Sequence, residues 1–389
     1  MFSARTQHES EPNALSHALS ARRAAGLPVL DLTQSNPTVT GLPYDANRLL
    51  GALSDPRALR YEPESFGLTS ARRAVQALQR EAGFELGVER ILLTSSTSEA
   101  YAFLFKLLCD PGDEVLIPRP SYPLFEHLAA LEQVSAVNYA LGYDGAWHID
   151  FDSLRRALSP RTRAIVVVSP NNPTGSFLKQ DELSTLASFG LPLISDEVFA
   201  SFALGSDARR APSVLSAQGV LCFALGGLSK LCALPQLKLA WTSIAGPREQ
   251  LAQALPRLEL IADTFLSPNT PVQCALPEIL GSRAPVQHAL QARIRENLAR
   301  LTRTLRGSAA TPLFLEGGWY ATLRLPALQS EAEWVLGLLE RDGVLTQPGF
   351  FYDFIDGAHL VLSLITEEST FALGVERIAE RVAEVVGAH

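Results

Sequence analysis

Lys230 sits in the stretch GGLSKLCALPQLKLAW, after two glycines and a serine and ahead of an apolar run. A lysine buried in such surroundings loses its proton near neutral pH and can form a Schiff base with a carbonyl. A solvated surface charge is the ordinary alternative for one lysine alone. Other polar clusters follow apolar runs in the same way. TSSTSEA follows ILL, SPNNPTG follows AIVVV, and SDEVF follows LPLI, so that Asp196 closes a strand-like segment. Ser and Thr at the start of a helix hold an anion with the first backbone amides, or cap the helix. A carboxylate such as Asp196 at the end of a buried strand needs a partner to offset its desolvation. As a bare turn, SPNNPTG says nothing more.

These groups need elements to carry them. TSEAYAFLFKLLC has helical spacing, with Tyr101, Leu104, Leu107 and Leu108 on one face. ERILLTSS, DEVLIPRP, TRAIVVVSP, LPLISDEVF, VLCFALGG and LAWTSIAG read as strands. SYPLFEHLAALEQ and DELSTLASFG read as intervening helices. The alternation from about residue 90 to 245 predicts a mostly parallel α/β sheet, whose ligands bind at the carboxyl ends of the strands. Two long helices are expected next, near REQLAQALPRLELIADTF, broken or kinked by Pro256, and over APVQHALQARIRENLARLTRTLRG. GGWYATLRLP and HLVLSLI then read as strands of a second, α+β lobe. SEAEWVLGLLERDG and TFALGVERIAERVAEVV read as its helices.

Composition narrows the function. The 389 residues are 47% hydrophobic and 19% charged, which supports a large core. A net charge of −8 gives no basic footprint for nucleic acid. No apolar run is long enough for a membrane span. The first residues, MFSARTQHESEPN, contain no apolar leader core. Four cysteines without metal-ligand spacing suit a reducing cytoplasm.

The ordered set TSSTSEA, RPSYPLF, SPNNPTG, SDEVF and GGLSK resembles the class I/II aminotransferases, pyridoxal phosphate (PLP) enzymes with the aspartate-aminotransferase fold. The resemblance spans nearly the whole chain. It implies a large domain with a mostly parallel seven-stranded sheet flanked by helices, and a smaller α+β domain built from both chain ends. The implied divisions are residues 1–45 (arm and part of the small domain), 46–285 (PLP-binding domain) and 286–389 (interdomain helix and small domain). It implies that Lys230 forms the internal aldimine and then serves as the base. Asp196 would pair with the pyridinium nitrogen, Asn172 would bond the ring's 3-oxygen, and Tyr122 would stack on the ring. Ser96, Thr97, Ser98, Ser229 and Lys238 would hold the phosphate. Tyr61 would reach the phosphate of a neighbouring subunit, implying a homodimer with shared sites. Ser35 and Asn36 in QSNPT would close over the substrate. The implied reaction moves an amino group from an amino donor to a 2-oxo acid through pyridoxamine phosphate. A PLP-dependent C–S lyase, or a PLP-binding regulatory protein without turnover, are the alternatives.

Four positions depart from the family's pattern. Lys238 replaces an arginine, so a point charge stands where a bidentate fork is usual, and Gly227 replaces a serine. Val361 occupies the place of the arginine that clamps the substrate carboxylate, and no arginine lies between Gly343 and Thr370. Three explanations stand open: a relocated cation such as Arg324, main-chain donors near Asn36, or a substrate without an α-carboxylate. FLSPNTPVQ lacks the arginine that recognises a distal carboxylate, which argues against aspartate as donor. Trp319, Tyr320, Phe350, Phe351 and Tyr352 suggest an apolar or aromatic lining, or ordinary core. Finally, Phe199 stands where a tyrosine donates to the 3-oxygen. Losing that donor favours the protonated aldimine. A spectrophotometric pH titration should therefore give a higher aldimine pKa than in tyrosine-bearing relatives; deprotonation complete well below neutral pH would contradict this.

Overall fold

The computed structural model describes residues 2–6 and 13–388. Part of the segment read as lacking a leader core, residues 7–12, lies outside the described residues. In chain order the strands are β1 Leu30–Asp31, β2 Ile91–Thr94, β3 Glu114–Arg119, β4 Ser135–Tyr143, β5 Trp147–Ile149, β6 Thr162–Val168 and β7 Leu193–Asp196. They continue as β8 Cys222–Gly227, β9 Ala240–Ala245, β10 Thr311–Pro312, β11 Tyr320–Leu325, β12 Val344–Leu345, β13 Gln347–Pro348 and β14 Ala358–Ser363.

The main sheet has eight strands in the order β2-β9-β8-β7-β6-β3-β4-β5. Strands β8, β7, β6, β3 and β4 are parallel, and β9 runs antiparallel to both neighbours. The strand beyond the expected seven is β5, a short antiparallel addition to β4. Val166, Ile194, Phe223 and Ile244 pack on one face, and Ile165, Leu193 and Cys222 on the other. Burial on both faces explains why these strands read as continuous apolar runs rather than as alternating ones. The second sheet, β10-β11-β14-β13, is antiparallel. The helices Ala284–Thr304 and Glu368–Gly387 pack together beside it.

Pro256 does not break its helix, which runs from Arg248 to Phe265. Leu251, Ala254, Leu258 and Ala262 are buried along it, and this packing outweighs one missing amide donor. The sequence reading passed over the helix Thr270–Gly281, which also holds an internal proline, Pro277.

The segment before β11 is pinned to the main sheet. Glu316 accepts the backbone N–H of Phe177 at 3.1 Å and pairs with the Lys179 ammonium. Gly175 has φ +68°, and a Cβ there would lie 2.5 Å from the Gly317 carbonyl, so the SPNNPTG turn and Glu316–Gly317 approach too closely for a side chain. This contact places Trp319 and Tyr320 against the strand ends. The Glu316 side chain is 7% exposed and that of Lys179 13%, so Glu316→Gln leaves a buried ammonium short of its main partner. We expect a loss of about 3 kcal/mol in denaturant unfolding.

Candidate active site

Asp196 ends β7 between Val168 of β6 and Leu225 of β8. Five residues after Leu225 comes Lys230, in a single helical turn, Leu228–Leu231. The sheet thus delivers a carboxylate and an ammonium to one end of adjacent strands. Lys230 Nζ lies 4.9 Å from the ring centre of Trp319 and 5.4 Å from that of Phe199. Burial pushes its pKa from 10.5 down to about 8, against the opposing pull of Asp196. Burial likewise pushes Asp196 up to about 6, opposed by the Val198 amide and by Lys230. That amide donates to Asp196 Oδ1 at 3.2 Å. Each group is therefore held near its change of charge.

The two asparagines of SPNNPTG differ. Asn171 is structural: its Oδ1 accepts from Ser121 Oγ at 2.9 Å, and its Nδ2 donates to the Pro120 carbonyl at 3.1 Å. It ties the end of β3 to the end of β6. Asn172 makes no side-chain hydrogen bond among the described residues, and its Oδ1 is buried without a partner. A buried amide left unpaired between two strand ends fits a polar group supplied from outside the chain.

Tyr122 is 42% exposed, its ring edge-on to Phe125 at 6.3 Å. Burial of its hydroxyl, and then Asp196, raise its pKa. At the start of the helix Thr97–Leu108, Ser96 is the N-cap and accepts the Glu99 amide at 3.1 Å. Glu99 in turn accepts from Ser95 N and Oγ at 2.6 and 2.9 Å. The Ser96 oxygen thus serves its own helix as an acceptor, and its O–H makes no hydrogen bond among the described residues. The hydroxyls of Thr97 and Ser98 make no hydrogen bond among the described residues. Ser229 is partly buried beside Lys230. Lys238 is exposed, with a left-handed φ of 51°.

Other expected site residues stand further out. Tyr61 is 75% exposed. Ser35 is exposed, and Asn36 caps the turn Pro37–Val39 by accepting from Thr38 N at 3.0 Å. The Asn36 backbone amide donates to Gln34 Oε1 at 2.9 Å, so its backbone N–H and its Oδ1 are both engaged, while its Nδ2 makes no hydrogen bond among the described residues. Arg324 is exposed on β11 opposite His359, two residues beyond the Thr322–Val361 pair. Val361 is 1% exposed and is core. Phe199 fills its site by packing edge-on to Trp319 at 5.4 Å and to Tyr320 at 6.2 Å.

The family model for aminotransferase class I and II matches residues 29–369. The chain belongs to that family. It is a PLP-dependent aminotransferase. The chain is 29% identical over 384 residues to alanine aminotransferase of Mycobacterium bovis, covering 93% of this chain and 87% of the relative. It is 30% identical over 261 residues to glutamate-pyruvate aminotransferase AlaA of Escherichia coli, covering 66% and 64%. The solved alanine aminotransferase of Pyrococcus furiosus superposes with a TM-score of 0.87 at 23% identity, covering 99% of this chain and all (100%) of that one.

Sequence reasoning missed Gln347, a lone polar residue in a two-residue strand that no periodicity marks. It accepts a hydrogen bond from the Tyr352 hydroxyl. Because Lys230 carries a lowered pKa, cofactor-free protein should show it half-acylated near pH 8 in a competitive labelling series read by mass spectrometry. Removing the Asp196 charge removes what holds the proton, so Asp196→Asn should shift that midpoint to lower pH. Labelling of Lys230 in step with the exposed Lys238 would contradict this.

Proposed function

We propose that Lys230, Asp196 and Asn172 form the working centre of this aminotransferase. The observation that carries this reading is the buried Lys230–Asp196 pair beside an unpartnered Asn172 amide. When bound, PLP supplies an electron sink for negative charge at the substrate's α-carbon. Asp196 would keep its charge by pairing with the cofactor's protonated ring nitrogen. Asn172 would offer its amide to the ring's oxygen, and Tyr122 would cover one ring face. Thr97, Ser98 and Ser229, with the first amides of the helix Thr97–Leu108, hold the phosphate, and Lys238 adds charge at the rim. Lys230 Nζ, half freed of its proton near pH 8, would take the proton from the substrate's α-carbon and give it back later in the same cycle.

The donor in this reading is an α-amino acid with an uncharged side chain, and alanine with a small 2-oxo acid is the first pair to test. The name of the alanine aminotransferase relative supports it. So does the absence of arginine from residues 265–273. Two copies pair in this reading, each lending Tyr61 to the other. Leu59, Tyr61, Leu260 and Leu266 are exposed, and Ser65 Oγ donates to Asp263 at 3.0 Å, bringing the two segments onto one surface. Residue 46 as the start of the large domain is supported by the helix Ala46–Leu53 packing on Thr270–Gly281. Residue 285 as its end is supported by the helix Ala284–Thr304 packing on Glu368–Gly387. The four free cysteines support a cytoplasmic location. No helix among the described residues is long and apolar enough to cross a membrane.

Isotope-labelled alanine should pass its nitrogen to a 2-oxo acid, and Lys230→Ala should slow this by at least about 10²-fold. Release of ammonia without nitrogen transfer would overturn the reading.

A further inference from the structure

A 2-oxo acid carries a carboxylate into the cleft, and a buried carboxylate needs donors. Among the described residues, the cation beside Asp196 and the aromatic wall is Lys230. Arg119 donates from Nε to the Asp353 carbonyl at 2.9 Å, which commits one edge of its guanidinium. Arg324 is exposed near the end of β11, opposite His359. The Asn36 amide is already bonded to Gln34.

The second sheet supplies something else. Thr322 and Gln347 both lie opposite Val361, and Tyr320 lies two residues along β11 from Thr322. Directly opposed residues, and alternate residues on one strand, share a face. Tyr320, Val361 and Gln347 therefore share the face that packs on Phe199, and Phe199 adjoins Lys230. The Tyr352 hydroxyl donates to Gln347 Oε1, which orients the amide and leaves its Nε2 hydrogens without a partner among the described residues. The backbone of Tyr352 is fixed as well, because its carbonyl accepts the Ser121 amide at 3.0 Å. The Tyr320 hydroxyl makes no hydrogen bond among the described residues. Burial first raises the pKa values of all three phenols; Tyr122 adds to the rise at Tyr320, Tyr320 and Tyr122 to that at Tyr352, and Asp196 to that at Tyr122, so all three stay neutral.

We infer that the substrate carboxylate is anchored by the Tyr320 hydroxyl and the Gln347 amide, with Tyr352 positioning Gln347, as a neutral hydrogen-bonding site in place of a cation. This rests on the placement of the reaction at Lys230. Neutral donors serve a carboxamide oxygen nearly as well as a carboxylate, whereas a guanidinium favours the anion strongly.

The test measures dissociation constants of isobutyrate and isobutyramide on the holoenzyme, by competition with the amino donor. Wild type should prefer isobutyrate by less than about tenfold. Tyr320→Phe and Gln347→Leu should each weaken isobutyrate by about 10- to 100-fold, the worth of a hydrogen bond to a charged group. An unchanged cofactor absorption spectrum would show that both variants are folded and loaded. Tyr352→Phe should weaken isobutyrate less, because it only frees the amide to rotate. Wild-type affinity in both the Tyr320 and Gln347 variants would overturn the anchor, as would no binding of isobutyrate to wild type. So would a loss of 100-fold or more in Arg119→Ala or Arg324→Ala alone. Lys230→Ala separates the two readings: if it keeps the wild-type cofactor spectrum, the location of the site is at fault and not the anchor.

Discussion

In the proposed working centre, everything else depends on the cost of burying Lys230 and Asp196 together. Water would hold the lysine charged and the carboxylate ionised over the whole physiological range. Removing water brings both close to a change of charge, and their mutual attraction stops either from changing completely. The pair gains little stability from this, because desolvation offsets the Coulomb attraction. What it gains is reactivity: an amine that can give up its proton, and a carboxylate ready for a cationic partner.

The surrounding fold serves to hold that arrangement in place. Parallel strands bring Val168, Asp196 and Leu225 into one row, and the chain then turns so that Lys230 faces back across it. The second sheet completes the enclosure. Glu316 and the Gly175–Gly317 contact bring Trp319 and Tyr320 up to the strand ends, where they form the aromatic wall against the ammonium. Phe199 is part of that wall. Where a hydroxyl would be usual, its ring instead packs edge-on between Trp319 and Tyr320, so the change reaches the substrate side as well as the cofactor side.

The strands of the main sheet were legible because burial on both faces writes itself as unbroken apolar runs. The helix from Arg248 was legible, but its continuity through Pro256 was not, since tertiary packing overrode a local rule. The cofactor end of the site was legible for a similar reason. Its residues follow strands in order, so local position and chemical type agree. The substrate end was not, because its groups come from β11, β13 and the turn Gly349–Tyr352, and register rather than spacing brings them together.

The sequence alone determined the family and the cofactor, and pointed to the lysine, because those rest on short motifs whose spacing is set by single strand-to-helix turns. It also showed that Val361 leaves no guanidinium at the usual place. Which asparagine is structural, which serine caps its helix, and which aromatic rings stand over the lysine were decided only by the tertiary structure. Hydrogen-bond satisfaction is a property of neighbours in space. A buried donor is available to a ligand only when nothing else in the fold has taken it.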